Sequence, residues 1–403
     1  MRILNVTQSY APFFEFGGPP VKVRALAEGM ARKGHEVAVL TADWGLEARL
    51  REMPGEPSAE LSPFGRRKKV NGVTTVYLAN WLHYHATSWN PALGRYLRAR
   101  LKDFDVIHIF GLYDLLGPRV AKECRARKIP YVVEPIGMFV PIVRNLRLKN
   151  AYHRLWGREM LEKADAIIVT AEQEREEVRS GGMDAGKILL RRNGVEAPAT
   201  FPEHGQFRAA LKLPPQDKLV LFLGRLSQKK SPDLLLKAFA GLGKLTGSDG
   251  ARAHLAFVGP DESGMKTRLQ QLAGELGVKE RVHLCPPLEG DAKWAAYRDA
   301  DIFVLPSQNE NFGNTAAEAV AAGTPVIVTE QCGIAPLLKT RSGLVVKHDE
   351  AELRNALERL LNDDLLRQTL EQGCTVALEQ LDWKQPLSEM EQIYSRLARL
   401  PAP

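Results

Sequence analysis

The sequence is poor in the features that mark several protein classes. Its 403 residues include four cysteines (Cys124, Cys285, Cys332, Cys374), far apart and without a Cys-x-x-Cys pair. That spacing argues against a disulfide framework or a zinc site and fits scattered thiols in a reducing compartment. No apolar run approaches the ~18–20 residues that span a bilayer, so an integral membrane protein is not expected. The opening Met1-Arg2-Ile3-Leu4-Asn5-Val6 reads as a strand, without the basic, apolar and small-residue segments of a secretory signal, and a cytoplasmic location is expected. Gly-x-x-x-x-Gly-Lys-Ser/Thr is missing, which disfavours P-loop chemistry. Gly-x-Gly-x-x-Gly behind a strand is missing too. Its nearest imitation, Gly241-Leu-Gly243, closes a helix-like segment and lacks the third glycine, so a nicotinamide dehydrogenase is disfavoured.

What is present suffices for two globular domains: 44% of residues are hydrophobic and 26% charged. The net charge of +7 is unevenly spread. Residues 1–200 carry 31 Lys and Arg against 22 Asp and Glu, leaving 24 against 26 of the totals 55 and 48 for the rest. The first half is the basic one.

Short apolar, β-branched runs alternate with helix-length segments throughout. Strands are predicted at 2–7, 36–41, 74–79, 105–110, 130–134, 166–170 and 188–191, then at 218–224, 254–259, 281–285, 302–306, 325–329 and 343–347. Runs such as Leu219-Val-Leu-Phe-Leu223 and Ile302-Phe-Val-Leu305 are apolar at every position, as in parallel strands covered on both faces. The expected fold class is α/β, with two Rossmann-like doubly wound domains facing a central cleft. Four prolines (198, 202, 214, 215) mark a break between the two series. The expected organisation is a domain over 1–197, a linker over 198–216, a second domain over 217–382 and a C-terminal helix over 383–403 crossing back to the first domain.

Three loops behind strands carry the chemistry. In Pro306-Ser-Gln-Asn-Glu310-Asn311-Phe312-Gly313-Asn314, a buried strand ends, a loop follows and a short helix begins near Asn314. A helix start offers amide donors and a positive dipole end to an anion, while the carboxylates Glu310 and Glu318 suit sugar hydroxyls. Gly224-Arg225-Leu-Ser-Gln-Lys229-Lys230 follows another strand, and Arg225 and Lys230 can reach a diphosphate over the helix beginning near Pro232. Two cations and a helix N-terminus can stabilise a departing nucleoside diphosphate without a metal. Gly17-Gly18 stand between the first strand and first helix, where glycine permits close approach to phosphate or sugar. Two Asp-x-Asp triplets, Asp103-Phe-Asp105 and Asp299-Ala-Asp301, have the form of a metal-binding pair, but each stands directly before an apolar strand and reads as polar residues at a strand entrance.

In these residues the chain resembles the retaining glycosyltransferases of the GT-B fold, family 4, the group 1 transferases. Glu310 and Glu318 fit the family's Glu-x7-Glu motif. Gly224-Arg225 with Lys230, the Gly17-Gly18 loop, Asn193-Gly194-Val195 and Phe257-Val-Gly259-Pro260 keep the family's order along nearly the whole chain. The resemblance implies that Glu310 positions the donor sugar and Glu318 the ribose. It implies that Asn311, Phe312 and Gly313 hold hydroxyls and phosphate through their amides, and that Gly224, Arg225 and Lys230 hold the leaving diphosphate. Gly17 and Gly18 would contribute a loop on the donor from the first domain. It further implies a nucleoside-diphosphate sugar donor of UDP or GDP type, no metal or other cofactor, and a glycan or lipid-linked acceptor, in the making of cell-surface polysaccharide.

Two positions depart from the family pattern. Asp105-Val-Ile-His108-Ile-Phe110-Gly111 resembles a segment with paired histidines, but the second position is Phe110; His108 is either the surviving catalytic histidine or a structural one. Glu134-Pro-Ile136-Gly137 has Ile136 where many relatives place histidine. The basic first half, in Arg66-Arg67-Lys68-Lys69, Arg95/Arg98/Arg100/Lys102 and Arg144/Arg147/Lys149, offers a peripheral contact with an anionic membrane surface or simply a solvated basic face. No recognition motif accompanies the charge, so nucleic acid is not an expected partner. The competing functions are a sugar-nucleotide epimerase or phosphorylase of the same fold, or a non-catalytic nucleotide-sugar-binding subunit.

Overall fold

Apolar β-branched runs become strands, and the segments between them become the helices that cover the resulting sheets. The computed structural model describes residues 1–53, 57–84, 87–141, 145–243, 252–339 and 341–398. They form two compact units, Met1–Asn193 with Trp383–Pro403, and Gly194–Asp382.

The first unit contains β1 (Arg2–Thr7), β2 (Glu36–Ala42), β3 (Glu60–Ser62), β4 (Gly65–Val70), β5 (Val73–Leu78), β6 (Leu82–Tyr84), β7 (Thr87–Trp89), β8 (Val106–Phe110), β9 (Tyr131–Glu134), β10 (Ala166–Val169) and β11 (Ile188–Leu190). Its helices are α1 (Gly18–Arg32), α2 (Leu46–Arg51), α3 (Leu93–Arg100), α4 (Leu116–Arg127), α5 (Leu146–Tyr152), α6 (Arg158–Glu162) and α7 (Glu172–Ser180), and a π-turn over His153–Gly157 makes α5 and α6 one helical run. The sheet order is β11-β10-β9-β8-β1-β2-β5-β4-β3. It is parallel from β11 to β5, while β4 and β3 add antiparallel at the edge. One face packs Leu4, Ile107 and Val133 under α3 and α4; the other packs Ile3, Val106 and Val132 under α1 and the C-terminal helix. Chain order reverses between β1 and β8, so the loops after these strands flank a switch point at the carboxyl edge, where open α/β sheets take ligands.

The second unit contains α8 (Gln206–Ala210), β12 (Lys218–Leu223), α9 (Pro232–Ala240), β13 (Ala253–Val258), α10 (Met265–Glu275), β14 (Val282–Cys285), α11 (Gly290–Asp299), β15 (Ile302–Leu305), α12 (Asn314–Ala321), β16 (Val326–Thr329), α13 (Ala335–Leu338), β17 (Gly343–Val346), α14 (Glu350–Asn362) and α15 (Asp364–Glu379). Its parallel sheet runs β14-β13-β12-β15-β16-β17, with both faces buried in apolar layers. Order reverses between β12 and β15, placing the Gly224–Ser231 and Pro306–Gly313 loops on either side of the switch point.

The structure differs from the sequence reading in two places. The proline-bearing stretch 198–216 carries α8, whose Phe207 is buried in the second unit's core and whose first amides donate to Asp299. Arg66-Arg67-Lys68-Lys69 lies in an unpredicted strand, β4, where Arg67 and Lys69 are exposed while Arg66 pairs with Glu47 and Asp43 and Lys68 is buried. Arg144 and the side chain of Tyr84 lie outside the described residues. The Asp-x-Asp carboxylates serve the scaffold, since Asp105 accepts from the Arg2 amide at 2.7 Å and Asp301 from the Leu219 amide at 2.7 Å. The C-terminal helix α16 (Lys384–Leu397) lies in the first unit against α1, close enough for Leu387 to occupy the place a side chain on Gly29 would need.

Candidate active site

The second unit brings eight of the expected residues to one sheet edge. Strand β12 ends in Gly224, whose φ of 150° favours glycine, and the chain turns out through Arg225 to a 3-10 turn over Gln228–Lys230. Gly259, after β13, packs against this turn so closely that a Cβ there would collide with the Gly224 carbonyl. On the far side of the switch point, the β15 loop is strapped down by backbone bonds from the Gln308 amide to the Lys229 carbonyl and from the Glu310 amide to the Gln331 carbonyl, 2.9 and 3.0 Å. Across the gap, Lys230 Nζ donates to Glu310 Oε2 at 2.7 Å, with both side chains mostly buried. Burial alone would raise the Glu310 pKa, but Lys230, aided by Lys229 and Arg225, holds it below the usual carboxylate range. Arg225 is half-exposed and meets the partly buried Glu262 at 3.7 Å, in an ion pair of little strength. The site therefore has one cation engaged by the carboxylate and another poised at the surface.

Helix α12 begins behind this pair. Gly313, at φ 102°, stands at its N-cap position, and no side chain among the described residues caps the helix start. Around that start Ser307 Oγ, Asn311 Oδ1 and Thr315 Oγ1 are buried without a hydrogen-bond partner among the described residues. Buried polar atoms are rarely left unmatched, so this grouping has the character of a polar ligand site. Phe312 is buried in the core and serves as a packing anchor, with its carbonyl accepting from the Ile334 amide at 2.7 Å.

Glu318 lies further along α12 and has two partners that sequence reasoning missed. Lys293 Nζ donates to Oε1 at 2.9 Å and Tyr297 Oη to Oε2 at 2.8 Å, both from α11. Burial, then the Glu318 charge, pushes the Tyr297 phenol well above its usual range, so it remains a donor at neutral pH. A carboxylate held on both oxygens is fixed in direction and retains lone pairs for a further hydroxyl. Lys293 and Tyr297 are four apart, one helical turn, the sole hint in the sequence that they share a face.

Gly17, Gly18 and His108 lie in the first unit. Gly17, at φ 93°, follows a 3-10 turn over Phe14–Phe16, and Gly18 opens α1 ahead of Pro19 and Pro20. His108 is fully buried. It stacks on Phe110 at 3.8 Å between ring centroids and bonds Tyr394 Oη through Nδ1 at 2.6 Å. Its Nε2 faces Glu134 Oε2 at 3.5 Å without hydrogen-bond geometry. Glu134 is itself paired with Lys22 and with Arg191, the latter at 2.6 Å, and all three are buried. Burial lowers the His108 pKa to about 4 and the Lys22 pKa to about 8; in Glu134 burial acts upward, but the cations outweigh it and hold the carboxyl below its usual range. Of the two roles left open for His108, its burial favours the structural one: the ring is fully enclosed by Phe110, Tyr394 and Glu134 of the first unit.

Comparison with known proteins identifies the family. The model described as "Glycosyl transferases group 1" matches residues 204–374, and that of a "Glycosyl transferase 4-like domain" matches residues 17–194. A D-inositol 3-phosphate glycosyltransferase of Thermomonospora curvata is 30% identical over 94% of this chain and 90% of its own length. Among solved structures, a sucrose-phosphate synthase from Thermosynechococcus elongatus superposes with a TM-score of 0.78 at 24% identity, covering 98% of each chain. The Anabaena protein HepE, in complex with UDP and glucose, gives 0.72 at 16% identity, covering 98% of this chain and 100% of that one. This chain belongs to the group 1 glycosyltransferases, enzymes of the GT-B fold.

Proposed function

We propose that the enzyme moves a sugar from a nucleoside-diphosphate sugar, of UDP or GDP type, to a glycan or lipid-linked acceptor. The transfer proceeds with retention and without a metal, in cell-surface polysaccharide synthesis. The observation that carries this reading is the Lys230–Glu310 pair spanning the switch point beside Arg225 and the uncapped start of α12. As the glycosidic bond breaks, negative charge grows on the diphosphate. Lys230, Arg225 and the α12 amides are placed on this unit to meet it, a role in which each contact contributes a few kcal/mol. Glu310 stays ionised and accepts from donor-sugar hydroxyls, while Glu318, oriented by Lys293 and Tyr297, accepts from the ribose. The UDP held by HepE supports the nucleotide assignment. Retention is carried from the family resemblance.

A phosphorylated polyol acceptor is the second reading, favoured by the name of the Thermomonospora curvata relative. Turnover of UDP- and GDP-sugars in excess EDTA, with lipid-linked glycans and inositol phosphate offered as acceptors, separates the two. Glu310→Ala should abolish transfer in either case. Unchanged transfer and donor hydrolysis in that variant would remove the role given to Glu310, and an isomerised donor in place of transfer would favour an epimerase.

A further inference from the structure

The first unit's carboxyl edge is furnished differently from the second's. Pro135 to Arg158 contains no Asp or Glu. The run α5–π-turn–α6 begins within it and ends beyond it, in a turn bearing Glu159 and Glu162; it buries Tyr152, Gly157, Met160 and Leu161 and leaves the opposite side to solvent. That side carries Leu148, 61% exposed, Leu155, 57%, and the exposed Leu146 and Trp156. Arg147 and Arg154 lie among them with no carboxylate partner among the described residues, and Arg158 pairs with Glu162 in the next turn and donates to the Gly181 carbonyl. Next to this helix stands the β6–β7 hairpin, flanked by Trp81, 71% exposed, and Trp89, 53%, edge to face at 6.3 Å.

The two features are joined at the first unit's switch point. Thr87 Oγ1 donates to the Tyr113 carbonyl at 2.7 Å, and Tyr113 Oη meets His153 Nε2 at 3.0 Å. Gln8, just after β1, donates to Ser88 Oγ at 3.0 Å. Hairpin and helix thus form one rim, fixed to the loops that follow β1 and β8.

We propose that this rim docks on an anionic lipid bilayer, so that the acceptor is drawn from the membrane surface. The proposal rests on the glycosyl-transfer reading only for what the docking serves. Aliphatic side chains interleaved with arginines, and tryptophans at the margin, are the chemistry of a helix lying in the headgroup region. A glycan would stack on the tryptophans but has no use for exposed leucines. A second copy of the chain would set Arg147 and Arg154 against their own like charges. Lipid phosphate satisfies the arginines while the leucines and Trp156 enter the acyl boundary.

The test is cosedimentation of the full chain with phosphatidylcholine vesicles, with and without phosphatidylglycerol. Binding is expected only with the anionic lipid, weakening as salt rises. Leu148→Glu and Leu155→Glu should each lower partitioning about tenfold, whereas Leu365→Glu, at an exposed leucine of the second unit, should leave it unchanged. Unaltered thermal unfolding of the variants, and an unaltered thermal shift with UDP or GDP, keep folding and the donor site out of the result. Absence of binding at low salt, equal binding by the variants, or vesicle-free self-association abolished by Leu155→Glu would overturn the proposal. The first outcome together with intact sugar transfer would do so while leaving the proposed function standing.

Discussion

The two units share one architecture and use charge in opposite ways. In the second, Arg225, Lys230, Glu310 and Glu318 stand at the carboxyl edge, partly exposed, beside an uncapped helix and several unpartnered polar atoms. In the first, Lys22 and Arg191 pair with Glu134 beneath the equivalent edge, fully enclosed, with His108 beside them held by Tyr394 of the C-terminal helix and its Nε2 left without a hydrogen bond. A charge with unfilled capacity near solvent is available to a ligand. A charge matched inside the protein is available only to the fold. The same residue types therefore carry different meanings in the two halves, and accessibility together with the partners already present decides between them.

This contrast predicts different phenotypes for similar substitutions. Glu310→Gln and Lys230→Ala should each reduce transfer about 100- to 1000-fold, with a loss of thermal stability smaller than that of breaking a fully buried pair, since both side chains keep some contact with solvent. Their combination should cost less than the product, because the two groups act as a pair. Steady-state kinetics and a melting curve on the same preparation check both halves of that statement. In the first unit, Arg191→Met removes one of the two cations balancing a buried carboxylate and should destabilise by about 3–5 kcal/mol. Nucleotide affinity, measured on the fraction that remains folded, should not change.

Acid should also distinguish the halves. His108 has a folded pKa near 4, below its ordinary 6.5, so the unfolded chain binds the extra proton between those values. Stability from keeping it neutral is complete above pH 6.5 and is lost as pH falls toward 4, about 3 kcal/mol in all. Glu134 adds a loss in the same direction once pH drops below its ordinary 4.5. Hydrogen exchange should show β8 amides losing protection over that first window while β15 amides hold theirs, and His108→Gln should flatten the difference. Equal loss in both strands would contradict the assignment. The smallest effect is expected at Tyr297→Phe, which removes one bond to Glu318 and should weaken donor binding by about 1 kcal/mol with the catalytic rate nearly intact.

The sequence makes strands such as β12 and β15 readable because parallel strands buried on both faces are apolar at every position. It makes the Glu310–Glu318 loop readable because strand, loop and helix start are contiguous. Lys293 and Tyr297 were not legible, since they reach Glu318 from a different helix and only the packing of α11 on α12 joins them. Strand β4 was not predicted as a strand because its charged run, Arg66-Arg67-Lys68-Lys69, shows no apolar alternation, and only its pairing between β5 and β3 makes it one. His108 shows the same limit from the other side. Its motif context left catalytic and structural roles open, and burial against Phe110, Tyr394 and Glu134 is a property of the folded unit alone.

The central claim, that the switch point of the second unit receives the nucleoside diphosphate through Lys230, Arg225 and the start of α12, is tested most directly by calorimetric titration of UDP and GDP in excess EDTA. Wild-type enzyme, Lys230→Ala, Arg225→Ala and Arg191→Met would be compared. The account predicts metal-free binding of one nucleotide, about tenfold or more weaker in each of the first two variants and unchanged in the third. Binding that appears only when manganese or magnesium is restored, or that survives loss of both Lys230 and Arg225, would contradict it.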